Sequence, residues 1–231
     1  MKWIFTPDEF THVWENETSL DRRPYPVNLV PAATVRTESE YAALRLQQRF
    51  ARQADADLAA ALMLCARTDA TTITISGESG AKRILVFAAV VHNHAGILIA
   101  DTDKVTVRMC HARNLGKQLV EIIGSAQPGK LAPMQEPQDA VLNSDGDAAA
   151  TNGHRRAARF RQTLRKPVDG RGFITVTVEP ENPMSPPTRH RSWLDFTGDG
   201  RYLLTTSHDL SLTPVTDEEF ADQLLRLAQI R

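Results

Sequence analysis

The sequence is poor in cysteine, has almost no excess charge and contains no long apolar run. Only Cys65 and Cys110 occur among 231 residues, which argues against a disulfide framework and against a cysteine-rich zinc site. The formal net charge of -1 is not that of a dedicated nucleic-acid-binding domain. The longest apolar run, residues 84–91, is far shorter than the ~20 residues of a membrane span. We therefore expect a soluble, cytoplasmic protein that does not insert into a membrane and does not bind nucleic acid.

Signal and catalytic motifs are also missing. Asp8 and Glu9 interrupt the amino terminus before an apolar signal segment has formed. The chain has no Gly-x-Ser-x-Gly elbow, no Walker loop and no dinucleotide fingerprint. Its hydrophobic fraction of 42% and charged fraction of 24% are those of an ordinary globular protein. The sequence thus predicts a single domain over residues 1–231 that is not an enzyme and holds no cofactor.

Hydrophobic periodicity predicts an α+β fold with an antiparallel sheet. Apolar residues at helical spacing from Leu58 to Ala66 indicate a core-facing helix, on which Cys65 is a buried apolar residue. The period then changes to two, and residues 84–91 have the continuous apolar character of a central strand. Helix, four strands and helix occur twice, offset by roughly a hundred residues. We expect quasi-twofold halves at about 30–125 and 150–231, joined by a mobile linker, 126–152, that is rich in proline and glycine.

Local signals place the ends of several elements. Thr-x-x-Glu capping boxes begin at Thr6, Thr37 and Thr216, so helices should start there. We expect the first helix over residues 7–14 and the second over 38–52. Residues 22–30 contain two prolines and should be extended at or near a sheet edge.

A hairpin is predicted around Gly198-Asp199-Gly200, which lies between two runs of aromatic and branched residues. Its alternation places Leu194 and Phe196 on one face, and Trp193 and Asp195 on the other.

Three histidines suggest one alternative function. His92 and His94 are two residues apart, His111 follows, and three imidazoles are a common metal-ligand set. A metal-dependent enzyme is therefore an alternative hypothesis. The pair falls on a predicted turn, however, and no carboxylate is placed as a further ligand or base, so solvated turn histidines are the preferred interpretation. Asp101 and Asp103 are likewise interpreted as turn residues.

An arginine-rich segment suggests a second alternative, a nucleic-acid-binding regulator. Ala157, Phe160 and Leu164 form an apolar stripe in this segment, which is typical of an amphipathic helix with a solvated basic face, and contact with an acidic protein surface is favoured over nucleic acid. The basic residues are Arg155, Arg156, Arg159, Arg161, Arg165, Lys166 and Arg171.

Motifs along nearly the whole chain resemble the EspG family, the ESX (type VII) secretion-associated proteins of actinobacteria. Residues 5–10 with Val13 and Trp14 resemble the opening helix of that family, and residues 23–27 resemble its Arg-Pro-Tyr-Pro strand. Residues 170–176 resemble the strand that follows its arginine-rich helix. Residues 193–196 and 199–203 resemble its late Asp-Gly-Arg-Tyr hairpin.

The resemblance implies an antiparallel sheet with two helical bundles and quasi-twofold halves. It also implies a non-enzymatic cytosolic chaperone that binds PE–PPE heterodimers, covers the apolar tip of the PPE subunit and directs it to the secretion machinery. An apolar helical tip aggregates when bare, so a groove of aliphatic side chains beside a sheet is a plausible binding site. A homodimer is left open.

The partner-binding residues are expected in two places. The first is the loop at residues 77–81, which the resemblance implies to be short here, with Gly77, Glu78, Ser79 and Gly80. The second is the exposed side of the last helix, with Leu225 and Gln229. The set Trp193, Asp199, Gly200, Arg201 and Tyr202 is expected to be architectural through turn geometry and packing.

Overall fold

A ten-stranded antiparallel sheet forms the centre of the protein. The computed structural model describes residues 1–30, 37–142 and 152–230. Along the sheet the strands follow the order β1-β5-β4-β3-β2-β7-β8-β9-β10-β6. They are β1 (Lys2–Phe5), β2 (Thr71–Ser79), β3 (Lys82–Val91), β4 (His94–Ala100), β5 (Val105–His111), β6 (Met134–Pro137), β7 (Val168–Thr177), β8 (Arg189–Phe196), β9 (Gly200–Thr206) and β10 (Asp209–Pro214).

Helices cover both faces of this sheet, which confirms the predicted α+β class. They are α1 (Pro7–Thr18), α2 (Glu38–Ala43), α3 (Leu46–Arg49), α4 (Ala56–Cys65), α5 (Leu115–Ile123), α6 (Gln138–Leu142), α7 (Asn152–Leu164) and α8 (Asp217–Leu227). Short 3-10 turns lie at Val27–Leu29 and Ala112–Asn114. Within the described ranges, none of the helices has the length and apolar content needed to cross a bilayer.

The element order repeats about the central β2–β7 pair. α4, β2 to β5 and α5 in the first half correspond to α7, β7 to β10 and α8 in the second. The two edge strands fit the same relation, because β1 pairs with β5 and β6 pairs with β10. Each half therefore contributes a five-stranded unit, one strand more than the sequence pattern indicates.

Part of the segment predicted as a linker belongs to the fold. Within residues 126–152, the structure places β6 on the edge of the sheet and α6 directly after it. Just before them, Gly129 N–H donates to Arg201 O at 3.1 Å, and Arg201 N–H donates to Gln127 O at 2.8 Å. The prolines and glycines here let the backbone pack closely against the sheet and do not make it flexible. The linker interpretation is therefore wrong for 126–142. Residues 143–151 lie outside the described ranges.

One face of the sheet has a continuous core, while the other has two separate clusters. On the first face, α5 and α8 cover residues such as Ile73, Ile75 and Ile174 from both halves. On the second face, α1 and α4 cover β3, β4 and β5, whereas α7 covers β8 and β10. Cys65 lies buried in the α4 cluster as predicted, and burial raises its pKa.

The predicted helix starts are confirmed, but two boundaries are wrong. Thr6, Thr37 and Thr216 each form a complete capping box. The helix predicted over 38–52 instead breaks into α2 and α3, because Arg45 adopts a left-handed φ of 49°. The helix predicted over 7–14 extends to Thr18.

The amino-terminal region differs from expectation in two further respects. Residues before Thr6 form β1, which the sequence analysis missed. Residues 22–30, predicted to be extended near a sheet edge, form a turn and a 3-10 helix that packs Val27 and Val30 into the α4 cluster.

Candidate partner-binding site

The second face of the sheet is open between its two clusters. β2, β7 and β8 lie between the strands that α4 covers and those that α7 covers. Eight of their open-face residues, here called the central strip, are Thr72, Thr74, Ser76, Phe173, Thr175, Thr177, His190 and Ser192. All of them are at least partly exposed. The strip is thus a surface bounded by a helical cluster on each side.

Hydroxyl groups dominate this strip, and one phenyl ring stands among them. The Thr175 hydroxyl lies 3.0 Å from His190 Nδ1, and the Thr177 hydroxyl lies 3.2 Å from that of Thr188. Phe173 is 67% exposed although it sits in a central strand of the sheet. An exposed phenyl group at such a position loses little conformational entropy when a partner covers it, so it is well suited to anchor an apolar ligand.

A groove of about 710 Å³ lies at one end of the strip. Phe173 forms part of its apolar lining, and Leu29 reaches it from the 3-10 turn that follows α1. Together these side chains form an apolar surface that is accessible to solvent. The other apolar lining residues are Leu85, Leu194 and Leu204.

Charged side chains form the mouth of this groove. Glu78 is the register partner of Arg83 on β3 and of Arg171 on β7. Arg171 Nε donates to Glu78 Oε1 at 2.9 Å. Strand alternation places these three residues on the open face, next to Ser76 and Phe173.

The strip rests on a tryptophan buried under two glycines. Gly77, Gly172 and Trp193 are successive cross-strand partners on β2, β7 and β8. A Cβ at Gly172 would lie 2.0 Å from Trp193 Cη2, so only glycine leaves room for the indole. Trp193 is fully buried on the α8 face. The packing below fixes the backbone on which Phe173 is presented above.

A buried arginine joins the second hairpin to both helices of the closed face. Arg201 is 1% exposed and forms a bidentate pair with Asp195, with nitrogen–oxygen distances of 2.7 and 2.8 Å. It also donates to Gly124 O, at the end of α5, at 2.8 Å and lies 3.6 Å from Asp217 at the start of α8. Arg201 therefore has the architectural role that the sequence analysis expects.

The hairpin turn is fixed by a second polar group. Lys130 N–H donates to Asp199 at 2.7 Å, and the Tyr202 hydroxyl donates to the same carboxylate at 3.0 Å. Burial by itself raises the pKa of Asp199, but these hydrogen bonds outweigh burial and hold the pKa below its usual range. Burial raises the pKa of Tyr202.

The predicted loop at residues 77–81 is at the groove but is mostly strand. Gly77, Glu78 and Ser79 continue β2, so only Gly80 and Ala81 form the turn, and the expected five-residue loop is wrong. Gly80 has a φ of +56° and its N–H donates to Asp169 O at 2.7 Å. Gly77, Glu78 and Gly80 line the groove.

The structure does not bring the other three predicted residues to this groove. Ser79 is the last residue of β2 and is not part of the groove lining. Leu225 packs partly buried against the core of the closed face. Gln229 lines a separate cleft of about 650 Å³ together with Thr71, the first residue of β2. β2 has nine residues, so its ends are roughly 26 Å apart at about 3.3 Å per residue. The two predicted places therefore lie on different faces and near different ends of the sheet.

The histidines do not assemble into a three-ligand group. His94 and His111 are cross-strand partners, while His92 lies in the turn with a φ of 52°. His111 Nδ1 accepts from Arg113 N–H at 3.2 Å and caps the following turn. Among the described residues, no cluster of three His, Cys, Asp or Glu side chains is placed to hold a metal ion.

The basic residues from Arg155 to Arg171 do not form one patch. Arg156 pairs with Glu136 at 2.8 Å, and Arg161 Nε donates to Val141 O at 2.9 Å, so these side chains tie α7 to β6 and α6. Arg171 lies on β7 at the groove. The amphipathic interpretation of α7 is confirmed, because Ala157 and Phe160 are buried and Arg155 is exposed.

Sequence reasoning missed Phe173, although a signal for it exists. Ile174 and Val176 define the buried face of β7, so alternation assigns Phe173 to the same face as Thr175 and Thr177. An aromatic residue in an otherwise threonine-rich face stands out from the pattern.

These features define a class of protein: a two-lobed antiparallel sheet with an uncovered strip between lateral helices. A family model described as the EspG family matches residues 6–226, which is nearly the whole chain, and the protein belongs to that family. Family membership supports a role as an ESX-associated secretion chaperone, and the family is not one of enzymes. No curated protein matches the chain.

Proposed function

We propose that this chaperone acts in the cytoplasm, where it binds PE–PPE heterodimers and holds the apolar tip of the PPE subunit in the groove beside Phe173. The helical tip would cover Phe173 and the leucines around it, and in return its own apolar residues would be removed from water. A chaperone that works by shielding needs shape and apolar surface, and it needs no reactive group. The residues named from sequence for this contact that the groove includes are Gly77, Glu78 and Gly80.

The exposure of Phe173 is the observation that carries the proposal. Burying a phenyl side chain contributes about 1.5–3 kcal/mol relative to leaving it in water, at about 25 cal/mol per Å². At 67% exposure most of that free energy is still to be gained. A partner that covers the ring gains this free energy, and the neighbouring Ser76 hydroxyl can hydrogen-bond to it.

Co-expression tests the function directly. The chain should co-purify with at least one PE–PPE pair encoded in the same genome, and Phe173→Ser should reduce the affinity about 30-fold or more, as removal of a central aromatic anchor does. Met184→Ser is the matched control, because Met184 is 89% exposed and lies on the β7–β8 connection at the other end of the sheet. Thermal unfolding of both variants should match the parent protein. Failure to capture any such pair, or equal effects of both substitutions, would refute the proposal.

A further inference from the structure

The groove mouth carries more positive than negative charge on the open face. Arg83 and Arg171 flank Glu78 in the strand register, and Arg171 takes its carboxylate at 2.9 Å. Within residues 1–30, 37–142 and 152–230, Arg83 has no ion-pair partner within 4.0 Å. Lys82 alternates to the closed face, where its Nζ donates to Ile122 O at 2.9 Å. The entrance therefore holds two guanidinium groups and one carboxylate, and Glu78 is paired with Arg171.

We propose that the groove selects an apolar helix flanked by carboxylates, and that Arg83 and Arg171 are the residues that read this charge. The inference rests on the proposed function, because it names the chemistry of the ligand that the same groove accepts. Arg83 is free to pair with the first carboxylate. Arg171 can exchange its pair with Glu78 for a second one, since both side chains of that pair are more than half exposed.

Charge at a rim acts mainly on the rate of association. Side chains at the edge of an interface stay hydrated, so each pair adds little to affinity but steers the approach of an oppositely charged ligand. An apolar helix with lysines at the same positions would meet two like charges and would be rejected. The discrimination should weaken as salt rises, because the screening length falls to about 8 Å at physiological ionic strength.

Two synthetic peptides provide the probe. Both carry the same face of leucine and phenylalanine, and their polar faces carry glutamates in one and lysines in the other. The glutamate peptide should bind at least tenfold more tightly at low salt, with the difference in the association rate constant. Glu78→Gln should strengthen its binding about threefold, because removing this carboxylate releases Arg171 from its pair and takes away a negative charge that repels the glutamates.

Charge reversal at Arg83 and Arg171 tests whether these residues cause the preference for the glutamate peptide. Arg83→Glu combined with Arg171→Glu should invert the preference, so that the lysine peptide binds more tightly. Arg113→Glu with Arg67→Glu is the matched control, since these residues line the cleft near the other end of β2 and the net change in charge is the same. The control should keep the preference of the parent protein.

Three results would overturn the inference: equal affinities for the two peptides, no binding of either peptide, or a preference unchanged by the double reversal at the groove. These outcomes are separate from failure of the proposed function. Capture of a PE–PPE pair that depends on Phe173 but not on Arg83 or Arg171 would leave the chaperone role intact and remove only the selectivity for acid-flanked helices.

Discussion

Trp193 and the glycines above it show how single residues shape the open face. The indole fills the space that a side chain at Gly172 would occupy, and the N–H of the buried indole has no hydrogen-bond partner among the described residues. Packing therefore determines the position of Trp193, while its buried and unpaired N–H carries a desolvation cost. Substitutions at these glycines and at Trp193 should consequently have non-additive effects on the free energy of unfolding.

Gly172→Ala tests this dependence. We expect a loss of about 3 kcal/mol in the free energy of unfolding, because the new methyl group overlaps both Trp193 and Ser76 O. In a Trp193→Phe background the same substitution should cost at least about 1 kcal/mol less, since the shorter ring relieves one of the two overlaps. Urea unfolding of the four proteins measures this coupling. Gly170→Ala, which meets mainly the tip of the Asp195 carboxylate, is the control and should cost less; additive costs for the first pair would contradict the packing argument.

Asp199 should make stability depend on pH. Its pKa is held below the ordinary value in the folded protein, so the stabilisation is present above the unfolded value of about 3.9 and is lost as the pH falls through the folded pKa. Asp199→Asn should therefore be about 1 kcal/mol less stable than the parent protein at pH 7, where the charged hydrogen bonds are formed. Below the folded pKa the two proteins should converge. Unfolding curves measured from pH 7 down to below the folded pKa check this, and a difference that stays constant over that range would contradict it.

At the scale of elements, Arg201 on β9 links its own strand to β8, α5 and α8. It connects β8 through Asp195, the end of α5 through Gly124 O and the start of α8 through Asp217. Arg201→Met should cost about 3–5 kcal/mol, because it leaves the Asp195 carboxylate without its cation in a largely buried place.

Removing both charges tests whether the loss comes from the stranded carboxylate. Asp195→Leu added to Arg201→Met should recover much of the stability, since an apolar pair of similar volume often replaces a buried ion pair without loss. Chemical unfolding of the single and double variants gives the comparison. A double variant that is no more stable than Arg201→Met alone would show that the stranded carboxylate is not the source of the loss.

The elements that the sequence predicts well are those with local causes. Capping boxes at Thr6, Thr37 and Thr216 and the turn at Gly198 depend on neighbouring residues alone, and the structure has them where the sequence places them. The break at Arg45 has no glycine or proline to announce it: Arg45 adopts a left-handed φ, and Leu46, the residue after it, is buried. β1 and β6 have four residues each and gain their order from the neighbouring strand.

The central strip and its groove were only partly predictable for a related reason. Glu78 and Gly80 could be placed at the groove because they adjoin a turn. Leu225 and Gln229 could not be excluded, since nothing in a helical pattern says which face of a distant sheet the helix will cover. The closed and open faces follow from where α7 and α8 pack, and that is a property of the whole chain.

At the scale of the molecule, the two halves share one core. The cluster under α5 and α8 combines Ile73 and Ile75 of the first half with Ile174 and Phe220 of the second. β2 and β7 are paired along nearly their full length. Neither half can bury its apolar surface alone, so the pseudo-repeat is not a pair of independent domains.

Fragments of the chain test this cooperation. Residues 1–125 and 126–231 expressed separately should be aggregated or unfolded, while co-expression should yield a soluble complex with the circular dichroism of the parent chain. Each fragment alone would leave β2 or β7 as a long unpaired edge. A fragment that is monomeric and unfolds cooperatively by itself would contradict this expectation.

The short strand β1 covers one edge of the sheet. Trimming residues 1–5 would bare the backbone of β5, a seven-residue strand with Val105 and Val107, to any extended peptide nearby. The truncated protein should then form oligomers by pairing between exposed edge strands. In the intact protein the edge strand has four residues and offers little backbone for such pairing.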